Sequence, residues 1–93
     1  MAEGANKQIF TIVATRNASA IRDAIKELGV QFIPIKEDSW ILVYAGTTKE
    51  LGDRLGIRGG ETGSAMIFAV NNYSGRASAD IWEWLKVNWP QNV

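Results

Sequence analysis

Three arginines and a tyrosine, Arg16, Arg58, Arg76 and Tyr73, are the side chains of this 93-residue chain best suited to surface chemistry. Guanidinium groups pair bidentately with phosphates and carboxylates, and a tyrosine ring offers a face on which a base stacks. Arg16 closes the first apolar run, and Tyr73 and Arg76 follow the last strand-like one. If those two runs are neighbours in a sheet, the three residues make a small anion- or nucleotide-contacting patch; the plainer reading is solvated loop arginines. Arg58 lies in residues 56–63, GIRGGETG, with Arg54 just before. Glycines let a backbone approach a phosphate closely. A dinucleotide fingerprint, however, follows a strand and opens a helix, and a P-loop ends in Gly-Lys-Ser/Thr. This segment follows a helical pattern and leads into a strand pattern, so it reads as a connection.

The residue inventory speaks against most catalysis. The chain has no histidine and no cysteine. That removes the commonest general base, the thiolate nucleophile and the usual transition-metal ligands. Its carboxylates are scattered: Asp23 and Glu27 on one helical segment, Glu37 and Asp38 in a turn, Asp53, Asp80 and Glu83 elsewhere. Asp23 and Glu27, beside Arg22 and Lys26, have the spacing of a solvated helix face. No catalytic residue, metal site or cofactor is expected. Ten basic residues balance ten acidic ones, so no net field draws the whole molecule to nucleic acid or an anionic membrane. The longest apolar runs fall far short of the roughly 20 residues that span a bilayer, and the N-terminus has no apolar signal core. A soluble cytoplasmic protein with no membrane partner is expected.

The elements that must hold these residues are legible from periodicity. Apolar residues make up 46% of the chain and charged ones 22%, a globular composition, with one domain over 7–93 and disorder only at 1–6. Residues 8–14 (QIFTIVA) form a strand with Phe10, Ile12 and Ala14 on one face and Ile9 and Val13 on the other. Asn17 or Ser19 caps a helix carrying Ile21, Ile25 and Leu28, and Gly29 stands where a left-handed cap is wanted. Residues 30–35 and 40–45 make a hairpin around a polar turn, with Pro34 marking the first arm as an edge. Thr47 and Glu50 have capping-box spacing before a short helix with Leu51 and Leu55, weakened by Gly52 and Gly56. Residues 65–70 (AMIFAV) form a fourth strand. Ser78 caps a last helix bearing Ile81, Trp82, Leu85 and Trp89, which Pro90 ends.

Strand, helix, strand, strand, helix, strand, helix is the order of an α+β, ferredoxin-like βαββαβ sandwich: a four-stranded antiparallel sheet plus an extra C-terminal helix. In that topology the first and third strands are central and two helices cover one sheet face. A half-solvated antiparallel sheet alternates apolar with polar residues, and three of these strands do not. The second face must therefore be covered, either by the C-terminal helix or by a second copy of the chain. Trp82 and Trp89 share a helix face and Trp84 points elsewhere, so a single helix is not expected to bury all three. The three tryptophans are thus candidates for a homodimer interface.

The same motifs resemble a known group, the SinR-like proteins and their structural relatives, the small Cas-two subunits of CRISPR adaptation. The likeness rests on the first strand, residues 23–29 (DAIKELG), 39–42 (SWIL), Thr48 with Leu51, Asp53 and Leu55, and 81–85 (IWEWL). It implies a ferredoxin-like homodimer, and for nuclease members a divalent metal held between two chains by an aspartate ending the first strand. Here that stretch reads Val13, Ala14, Thr15, Arg16, Asn17, with no carboxylate. The expectation is therefore a non-catalytic interaction protein that binds itself and either another protein or nucleic acid. The alternative is a metal-dependent nuclease or nucleic-acid binder of the same fold.

Overall fold

The apolar runs become strands and the amphipathic ones helices. A computed structural model describes residues 7–70 and 79–89. In chain order they form β1 (Lys7–Arg16), α1 (Ala18–Leu28), β2 (Phe32–Lys36), β3 (Ser39–Ala45), α2 (Thr48–Leu55), β4 (Ser64–Val70) and α3 (Ala79–Asn88). The strands make one open antiparallel sheet in the order β2-β3-β1-β4, placing the first and third strands centrally. This α+β architecture is compatible with a ferredoxin-like fold. Residues 1–6, Tyr73, Arg76, Ser78 and Pro90, on which expectations were placed, lie outside the described residues.

Each sheet face carries its own apolar cluster. Phe10, Ile12, Ala14, Trp40 and Leu42 point to one side and meet Ile21 and Ile25 of α1 with Leu51 and Leu55 of α2. Alternation sends Ile9, Ile41 and Val43 to the other side, where Leu85 of α3 joins them. α1 and α2 therefore lie on one face and α3 on the other, which is why the central strands are apolar on both sides. Among the described residues no helix is long and apolar enough to cross a membrane.

Local signals explain the ends. Thr47 and Glu50 form the capping box: the Glu50 N–H donates to Thr47 Oγ1 at 3.1 Å and the Thr47 N–H to Glu50 Oε1 at 2.8 Å. Gly29 ends α1 with φ 77°, in the left-handed region where glycine has no Cβ to clash. β2 is an edge strand, as Pro34 requires. The start of α1 differs from expectation. Asn17 holds the N-cap position, but in a left-handed conformation (φ 60°) and with no side-chain cap, and Ser19 lies inside the helix. The Asn17 amide is used instead across the chain, donating to the Thr62 carbonyl at 3.0 Å.

α3 packs its tryptophans only in part. At about 100° per residue, Trp84, Ile81, Leu85, Trp89 and Trp82 fan over an arc of about 160° centred near Leu85. A helix lying flat on a sheet can wedge its central residue into the surface and lay flanking aromatics to either side. Leu85 is fully packed, and Trp82, Trp84 and Trp89 are each half-buried against the second cluster. All three tryptophans touch the sheet's second cluster, and none of them is fully buried there, as expected of a single helix.

Candidate interaction surface

Two regions gather the residues singled out by type and spacing: the loop end of β1, and the sheet face that bears α3.

At the loop end, a bulge between Ala14 and Arg16 shifts the register so that Arg16 stands opposite Ser64 of β4. Its guanidinium donates to Ser64 Oγ at 3.3 Å and to the Gly60 carbonyl at 3.1 Å. Together with the Asn17 amide it ties residues 60–64 to the end of β1. The loop's own amides are partly spent: the Gly60 N–H donates to the Ile57 carbonyl and the Thr62 N–H to the Gly56 carbonyl, each at 3.0 Å. An anion-binding loop needs such amides aimed outward together, and these two are turned inward, latching the segment as a connection. Gly63 is buried, and a Cβ there would lie 2.5 Å from the Arg16 carbonyl oxygen and 3.1 Å from Ile21 Cδ1. Close packing of the loop against β1 and α1 thus accounts for this glycine, a reason that composition alone does not reveal.

Arg58 sits apart from Arg16. Its Nη1 is 3.4 Å from Asp53 Oδ1, an exposed pair, and its stem lies over Gly52 of α2, where a Cβ would meet Arg58 Cγ at 2.9 Å. That close approach gives α2 its mid-helix glycine. Beside it an open groove of about 440 Å³ runs between α2 and β4, with Ile57, Ala65 and Ile67 as apolar wall and Lys49 and Arg58 as cationic rim. The structure brings Arg16 to the loop and leaves Arg58 on α2's side. The juxtaposition expected of Arg16 with Tyr73 and Arg76 falls outside the described residues. Arg22 Nε lies 3.6 Å from Asp23 Oδ1 in an exposed pair on α1, the solvated face that their spacing suggests. Among the described residues no three of His, Cys, Asp and Glu gather to hold a metal ion.

On the other face, α3 covers only part of the sheet. Its cluster takes in Ile9, Ile33, Ile41, Val43 and Val70. The register sets Phe68 opposite Thr11 and Met66 opposite Val13, on the same face by alternation. There no described helix shields them: Met66 is 54% and Phe68 48% exposed, next to a half-buried Val13. Together they form a small apolar patch on the sheet surface. Residues 65–70 read from sequence only as a strand apolar on both faces, and periodicity could not say which half of that strand α3 would leave open.

No family model, no curated protein and no solved structure matches this chain.

Proposed function

We propose that this chain is a non-catalytic, ferredoxin-like interaction protein that works as a homodimer. The observation that carries the reading is the half-exposed apolar pair of β4, Met66 and Phe68, beside Val13 on the sheet face that, among the described residues, α3 only partly occupies. A contiguous apolar patch of this kind is a surface that a second chain can cover, removing it from water. The order β2-β3-β1-β4 and the placing of α1 and α2 on one face support the ferredoxin-like assignment. The resemblance to the SinR-like group, with no carboxylate at the end of β1, supports binding over hydrolysis.

Light scattering at micromolar concentration, where one chain weighs 10.2 kDa, is expected to give twice that mass. A mass of one chain overturns the dimer. Incubation with single- and double-stranded nucleic acid and magnesium is expected to leave the strands intact. Cleavage abolished by EDTA would establish the nuclease reading in place of this one.

A further inference from the structure

The two edges of the sheet are built differently. β2 is short, contains Pro34, which has no N–H to offer, ends in the charged Lys36, and has a register break between those two residues. These are the devices by which proteins keep an edge from pairing with another chain. β4, at the opposite edge, is less guarded: the one register shift in its pairing falls in β1, between Ala14 and Arg16, and leaves residues 65–70 in regular register. Its seven residues, SAMIFAV, carry no proline and no charge. Among the described residues no other strand pairs with its outer side. Among the described residues the sheet thus has one blunted edge and one open to pairing.

The sequence of β4 also says what fits it. Read outward from Ile67, the strand is symmetric in size: Met66 and Phe68 flank the centre, then Ala65 and Ala69. From the geometry we infer that β4 pairs antiparallel with β4 of a second copy about a two-fold axis at Ile67, joining two four-stranded sheets into one of eight. In that register Ile67 meets Ile67, Met66 meets Phe68, and Ala65 meets Ala69. Large therefore opposes large, small opposes small, and no charges oppose each other. Met66 and Phe68, on the face bearing α3, form a row of four large side chains across the junction. Ile67, on the face of α1 and α2, closes the α2–β4 groove of one copy against that of the other. A two-fold axis allows this pairing because the same strand serves both sides, which is the condition for an isologous interface.

The inference rests on the homodimer reading and specifies its contact. Met66 and Phe68 are exposed, so charging them leaves the fold intact, and directly opposed like charges break a strand pair. The double variant Met66→Lys/Phe68→Lys is expected to be monomeric by light scattering, and so is Met66→Glu/Phe68→Glu. Mixed in equal amounts, the two are expected to return to the mass of a dimer, since each lysine of one copy then faces a glutamate of the other. As a second readout, Ile67→Cys in this cysteine-free chain is expected to form a disulfide dimer on mild oxidation, and Val87→Cys, 76% exposed on α3, is not. A native dimer whose charged variants stay dimeric, or that cross-links through position 87 and not 67, overturns the β4 contact and leaves the homodimer standing. A native monomer overturns both.

Discussion

Replacing Leu85 by alanine tests whether α3 is held to the sheet by the one side chain it buries fully. Leu85 is 5% exposed and packs with Ile9, Ile41 and Val43 on the face away from α1 and α2. Truncating a packed leucine costs about 2–5 kcal/mol, the upper values belonging to rigid sites that cannot close over the gap. Here the neighbours Trp82, Trp84 and Trp89 are only half-buried, so the site is not fully enclosed and about 2–3 kcal/mol is expected. A helix of ten residues does not persist alone in water, so α3 depends on this docking. The loss should accordingly be local. Trp40 sits 1% exposed in the opposite cluster and reports separately on that core. In urea, the emission of the variant is expected to shift red, from the α3 tryptophans, at a lower concentration than the far-UV circular dichroism of the sheet and remaining helices is lost. A variant with native emission and a stability change below about 0.5 kcal/mol would refute the reasoning that Leu85 anchors the helix.

Two further changes probe the other face and the loop. Trp40→Ala removes the largest fully buried side chain and is expected to cost about 3–5 kcal/mol in chemical denaturation, with a change under about 1 placing the indole outside the core. Gly63→Ala sets a methyl group 2.5 Å from the Arg16 carbonyl oxygen and is expected to destabilise by about 1–3 kcal/mol by calorimetry. A neutral result there would mean that the loop is free to move off β1.

The elements were largely legible because they are written in local spacing. Period-two and period-3.6 apolar patterns placed all seven, and Thr47 with Glu50, Gly29 and Pro34 marked a helix start, a helix end and an edge for stated stereochemical reasons. Local reasoning failed where a side chain is used at a distance. Asn17 has the right chemistry to cap α1, but its amide and the Arg16 guanidinium go to residues 60–64, and no signal near either in the chain foretells that latch. Gly52 reads as a weakness of its helix and Gly63 as part of a plain connection, yet both stand where another part of the chain comes within contact distance.

By itself, the sequence determined that the chain lacks imidazole and thiol chemistry, that its central strands are apolar on both sides, and that both faces of the sheet must therefore be covered. Only the tertiary structure decided how. It laid α3 over part of the second face, Leu85 packed among flanking tryptophans, and, among the described residues, it left Met66 and Phe68 of β4 about half exposed beside it. The physical reason is one of range: alternation along a strand fixes which side a residue faces, whereas the area a helix can shade depends on where the chain brings it.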